Sequence, residues 1–171
     1  CPTADDLVIS EKCQADYRRN LPELISKIRR AVPGARLLYL TPTPYDDTAD
    51  VTNIPPGKTG WSVVNTKGCN VGLSLMAGFV MTQAEADGVP FVDWYTPLQS
   101  FLMGRRENDP HFMFTRYDRT HPEALGHSIM AWKFLEAQGA PALVSDVAVD
   151  AGSLAVKRAE NAEGGSVTRS A

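Results

Sequence analysis

The stretch NVGLSLMAGFVMTQAEADGVPFVDW, residues 70–94, decides the architecture. From Asn70 to Asp87, Val71, Leu75 and Phe79 recur at helical spacing, joined by Met76 and Val80, which predicts a helix with those residues as its buried face. Gly88 stands where a helix commonly ends in a left-handed cap. Val89–Trp94 (VPFVDW) follows at once as a short apolar strand. Upstream, Arg36–Thr41 (RLLYLT) is another such run, of the kind buried in a parallel sheet. Strand, helix and strand at these lengths form a crossover unit, which joins parallel neighbours. A layered α/β sheet is the expectation.

The same reading extends outward in both directions. Residues 17–31 (YRRNLPELISKIRRA) set Leu21, Leu24, Ile25 and Ile28 on one helical face opposite Arg and Lys, with Pro22 in or near the first turn. Val32-Pro33-Gly34-Ala35 then breaks that helix. Residues 42–68 are rich in Pro, Gly, Asp and Thr and read as a loop beside a functional site. Residues 97–104 suggest a short helix, and residues 105–119 a polar loop anchored by Phe112, Met113 and Phe114. A last helix is expected from Pro122 to Gln138, with Pro at the favoured first position and Gly139 just past the end. Beyond Pro141, ALVSDVAVD and LAVKRAE alternate apolar and polar around Ala151-Gly152, the pattern of a β-hairpin. The expected organisation is one main domain over residues 1–140 and a β-rich tail over 141–171, the start of a second module or an extension.

Composition narrows the function classes. The 171 residues are 43% hydrophobic and 22% charged, as in ordinary globular domains. No stretch approaches the roughly 20 apolar residues of a membrane-spanning helix. A net charge of −3 and scattered Arg and Lys give no basic footprint for nucleic acid. Cys1, Cys13 and Cys69 form neither a zinc pattern nor a disulfide framework, so the redox compartment stays open. A start at Cys1, with no signal segment in view, reads as part of something longer.

The residues that carry chemistry lie at 118–127. In Asp118-Arg119-Thr120-His121-Pro122, a turn entering a helix, residues three apart can face each other, so the Asp118 carboxylate can accept a hydrogen bond from the His121 ring. That bond fixes the tautomer and stabilises the imidazolium, leaving the other ring nitrogen to act as general base on a serine hydroxyl. A local Asp–His bond that merely caps the helix is the structural alternative. Tyr45 and Asp46 follow the first strand, on the rim where open α/β sheets bind ligands, and are candidate substrate-binding residues; turn formation by Asp46 is the other reading. Asp93 ends the next strand and is read as a cap for the following turn. His127 is read as a packing or hydrogen-bonding residue, Trp61 as a loop anchor and Trp132 as core. Asp109, His111, Asp118 and His121 are metal-compatible types, but without a second clustered pair no metal is expected.

Residues 17–139 resemble the latter half of the SGNH (GDSL-like) ester hydrolases. The resemblance lies in YRRNLPELISKIR, PGARLLYLTPTPYDD, DGVPFVDWYTPL and DRTHPEALGHSIMAWKFL. The family's final signature is Asp-x-x-His-Pro followed by Gly-His, matched by Asp118, His121, Pro122, Gly126 and His127. The resemblance implies a flavodoxin-like three-layer parallel sheet, its amino-terminal portion missing here, and hydrolysis of an ester, often an acyl group on a carbohydrate. It implies a nucleophilic serine and no metal or organic cofactor. The family's Gly-Asp-Ser and Gly-x-Asn-Asp blocks, which supply the serine and most of the oxyanion donors, are absent from this chain and would lie upstream of Cys1. Gly152-Ser153-Leu154 only echoes the first of them, and Ser62, Ser74 and Ser128 have no better claim. The expected partner is a small-molecule or carbohydrate ester, with secretion or a periplasmic location plausible for such a hydrolase and oligomeric state not readable. The rival reading is a non-catalytic glycan-binding or structural module on a hydrolase-like α/β body.

Overall fold

The computed structural model describes residues 11–49, 68–115, 119–163 and 165–168. Expectations for Asp118, Trp61 and the middle of the 42–68 loop lie outside these. The chain divides into two units, Cys1–Ala137 and Gln138–Ala171.

In the first unit, α1 spans Glu11–Ala31, six residues longer at its amino end than the periodicity suggests. Those residues carry no apolar repeat, so the sequence gives no sign of them. The first half instead shows charge pairs one turn apart, Lys12 and Arg19 each 2.7 Å from Asp16, the spacing at which opposite charges support a helix. Pro22 therefore lies inside the helix. The packed face is Tyr17, Leu21 and Ile25, whereas Leu24 and Ile28 are exposed.

Strand β1 (Tyr39–Leu40) pairs in parallel with β2 (Phe91–Val92), Tyr39 opposite Phe91 and Leu40 opposite Val92. The ladder reaches Pro90 before β2 and Thr41 after β1, through Tyr39 N–H to Pro90 O and Thr41 N–H to Val92 O, each 3.0 Å. Between the strands runs α2 (Cys69–Asp87), closed by Gly88 in the left-handed region at φ 62°. This is the crossover anticipated from sequence, with an inward face that includes the expected Val80 but not Val71 or Leu75. Gly72, Ala77, Val80 and Ala84 are buried, while Val71 and Leu75 are exposed. The helix is apolar nearly all round, so periodicity could not choose a face. Small side chains allow the closest approach of helix to strand, and they lie inside. Ile25, Tyr39, Val80 and Ala84 make one core cluster.

A second cluster, Leu98, Leu102 and Phe114, joins α3 (Tyr95–Arg106) to the segment before α4 (Ala124–Ala137). Trp94 packs against it and donates its indole N–H to Met130 O at 3.0 Å. Trp132, expected in the core, is 60% exposed. It shares a stripe with Leu125 and Leu135, also exposed, while α4 turns Gly126 inward. Among the described residues no helix is long and apolar enough to cross a membrane.

In the second unit, β3 (Asp146–Val149) and β4 (Val156–Glu160) form the antiparallel hairpin, with a register shift between Ala148 and Val149. Its turn is organised by Asp150. Its Oδ1 accepts from the Gly152 and Ser153 N–H groups and the Ser153 hydroxyl at 3.1, 2.7 and 2.8 Å. The bonds from the Ser153 N–H and then its hydroxyl, with a smaller part from the Gly152 N–H, hold its carboxyl below the usual range.

Candidate active site

Both strands of the parallel pair end at one rim. Thr41, 1% exposed, follows β1, and its Oγ1 accepts the N–H groups of Trp94 and Tyr95 at 2.8 and 3.0 Å. Asp93, just past β2, accepts the Thr96 N–H at 3.0 Å. These bonds satisfy the first donors of α3, which have no partner within the helix. Asp93 thus serves the following turn.

The rim loop 42–49 is stitched to the helices by Asn70, which the sequence reading did not single out. Its Oδ1 accepts the Tyr45 N–H at 3.0 Å, its own N–H donates to Asp47 Oδ2 at 3.2 Å, and its Nδ2 reaches Gln99 Oε1 at 3.1 Å. Tyr95 adds a hydroxyl donation to the Asn70 carbonyl at 3.3 Å. The partners of its side chain lie 25 and 29 residues away, so no local pattern signals it. Next to it, burial pushes the Cys69 thiol up; Cys13 and Cys69 are both outside any disulfide.

Tyr45 and Asp46 are both buried, at 7% and 2% exposure. The Asp46 carboxylate meets Arg106 in a two-pronged pair, Nη1 to Oδ1 at 2.8 Å and Nη2 to Oδ2 at 2.7 Å. Arg106 also donates to Thr48 Oγ1 at 2.6 Å and, through Nε, to Phe112 O at 3.0 Å. One guanidinium therefore fastens the rim loop to the segment after α3. A planar fork facing a carboxylate is the geometry Arg uniquely provides.

The segment carrying His121 folds back on the chain before it. Thr115 bridges Pro122 in antiparallel fashion, and the Glu123 N–H donates to Phe114 O at 2.7 Å. Pro122 thus sits in this bridge, two residues before α4 begins, and not at the helix's first position. Arg119 is 8% exposed and holds φ at 63°, the left-handed region. Its carbonyl accepts the Asp46 N–H at 3.0 Å, which brings the 42–49 and 119–122 segments together. His121 is exposed, two residues from that bond; His111 and His127 are also exposed. Its pairing with Asp118 lies outside the described residues. Three buried polar atoms lack a partner among the described residues, Asp47 Oδ1, Thr115 Oγ1 and Arg119 Nε. All three belong to the loops flanking His121.

Three of the serines within the described residues are engaged locally. Ser74 donates to Val71 O at 2.7 Å, Ser128 to Ala124 O at 2.8 Å and Ser153 to Asp150. Asp109 accepts the His111 N–H at 3.2 Å. Among the described residues no three His, Cys, Asp or Glu side chains gather as metal ligands.

No protein-family model matches the chain. No curated protein matches it either. Solved structures do. A gut microbial diltiazem-metabolizing enzyme aligns at TM-score 0.65 and 23% identity over 89% of this chain and 33% of its own. A variant of the acetyl xylan esterase Axe2 from Geobacillus stearothermophilus aligns at TM-score 0.52 and 19% identity, over 75% of this chain and 49% of its own. An alpha/beta hydrolase enzyme from the metagenome of Lake Arreo, Spain, aligns at 0.50 and 22%, over 75% and 48%. The chain therefore spans about a third to a half of the structures it resembles. What it shares with these hydrolases is the fold, an esterase-like α/β arrangement of helices about a small parallel sheet.

Proposed function

We propose that this chain is the part of an SGNH-type serine ester hydrolase that carries the catalytic base and its orienting acid. His121 takes the proton from a serine supplied elsewhere in the full-length protein, the serine attacks the ester carbonyl, and the imidazolium then protonates the departing alcohol. Water releases the acid through the same base. Asp118 holds the ring in the correct tautomer throughout. The three-layer sheet of that family would be completed by the rest of the protein. The observation that carries the reading is the bond between the Asp46 N–H and Arg119 O. It ties an accessible imidazole to the loop leaving the carboxyl end of β1, the side of an open α/β sheet where ligands bind.

Two structures of similar fold support the proposed substrate class. Axe2 is described as an acetyl xylan esterase, and a second Axe2 variant as an acetyl-xylooligosaccharide esterase. An esterified carbohydrate or another small ester is therefore the proposed substrate. Labelling of the full-length protein by a fluorophosphonate probe tests the mechanism, because the probe reports an activated serine. Labelling should occur in the wild type and be lost in His121→Ala; equal labelling of both would remove His121 from the mechanism.

A further inference from the structure

We infer that the buried Asp46–Arg106 pair is the positioning device for His121, an inference that rests on the function proposed above. The chain of contacts runs outward from the pair. Arg106 grips both carboxylate oxygens at 2.8 and 2.7 Å, and the two side chains are 11% and 1% exposed. That grip fixes the Asp46 backbone, whose N–H holds the Arg119 carbonyl at 3.0 Å. Arg119 needs holding. A residue with a β-carbon at φ 63° is in a strained conformation that persists only when its surroundings over-determine it. Two further anchors among the described residues, the Thr115–Pro122 bridge and the Glu123 N–H to Phe114 O, act on the far side of His121. The ring is thus carried on a turn pinned at both ends, and the Asp46 end is pinned by Arg106.

This gives Asp46 a role through other residues and not by contact with substrate. Its oxygens already serve Arg106, and its side chain is 1% exposed. Arg106 in turn connects the same point to Phe112 O and Thr48, so a change there is felt by three segments at once. A misplacement of about 1 Å in a catalytic group costs on the order of 100-fold in rate, so a loosened turn should appear in turnover before it appears in binding.

The test uses the full-length protein and an ester substrate such as p-nitrophenyl acetate. Arg106→Lys keeps the charge but loses the fork, and Asp46→Asn keeps the shape but loses the charge. Both should lower kcat roughly 10- to 100-fold with KM nearly unchanged, and both should move the ring resonances of His121 in the NMR spectrum. Thr48→Val, an exposed site that removes one bond from Arg106 and a longer one to Asp46 Oδ1, should act in the same direction and more weakly, and it decides the matter should the first two not fold. A raised KM at constant kcat would make Asp46 a substrate contact and overturn the inference. Lowered thermal stability with wild-type kcat and an unmoved His121 signal would overturn it as well. His121→Ala in the same assay separates the two ideas. If it keeps wild-type turnover the proposed function fails; if it is inactive while Arg106→Lys is normal, only the positioning role fails.

Discussion

Gly126 lies so close to Phe114 that a β-carbon built on it would stand 2.9 Å from the ring Cδ2, and 2.5 Å from the Cβ of Pro122. Neither atom is the far end of a flexible chain. Replacing a helical Gly by Ala ordinarily stabilises by up to about 1 kcal/mol, but here overpacking, at roughly 1–3 kcal/mol, opposes it and wins. Gly126→Ala should therefore lower the denaturant midpoint. Gly78, inside α2 with nothing within 4 Å of the same position, should show the opposite sign when replaced by Ala. Equal shifts in the two variants would contradict the packing argument.

Tyr39 donates to Asp87 Oδ2 at 2.6 Å, tying β1 to the end of α2. Burial first, and then this bond, push the Tyr39 phenol from 10.0 up to about 12. The same bond leads the causes that hold Asp87 below its ordinary 3.8. The raised phenol contributes stability that is whole below pH 10 and lost as pH climbs to 12; the depressed carboxyl contributes stability present above pH 3.8 and lost as pH falls below it. Tyr39→Phe should flatten the alkaline limb of a stability–pH curve and cost about 1 kcal/mol at neutral pH. An unchanged alkaline limb would refute the assignment.

Thr41→Val tests the rim itself. The valine keeps the shape and removes the acceptor for the Trp94 and Tyr95 N–H groups. Leaving buried donors unpaired costs about 1–3 kcal/mol each, so the variant should lose at least about 1 kcal/mol in urea denaturation. Thr41→Ser, which keeps the oxygen, should be distinctly milder; equal losses would mean the methyl group matters more than the hydroxyl.

The crossover was legible because its signals are local and agree. RLLYLT and VPFVDW are apolar and short, the helix between them is long, and Gly88 ends it as a left-handed cap. Which face of α2 turns inward was not legible, since an evenly apolar helix leaves the choice to how closely Gly72, Ala77 and Ala84 let it approach the strands. Trp132 misled for a similar reason: size and apolarity suggest burial, but Trp94 holds the place in the core. Asp93 as a cap follows from local sequence and is found so. Asn70 and Arg106 were invisible because their partners lie 25 and 60 residues away, and no spacing rule reaches that far. The relation of Asp118 to His121 lies outside the described residues.

The most direct measurement is steady-state hydrolysis of an acyl ester by the full-length protein with and without His121. Removal of a triad member typically costs on the order of 10⁴- to 10⁶-fold in turnover, and His121→Ala should fall in that range while remaining folded by circular dichroism. Turnover within a few-fold of wild type would mean that the imidazole at position 121 takes no part in the chemistry.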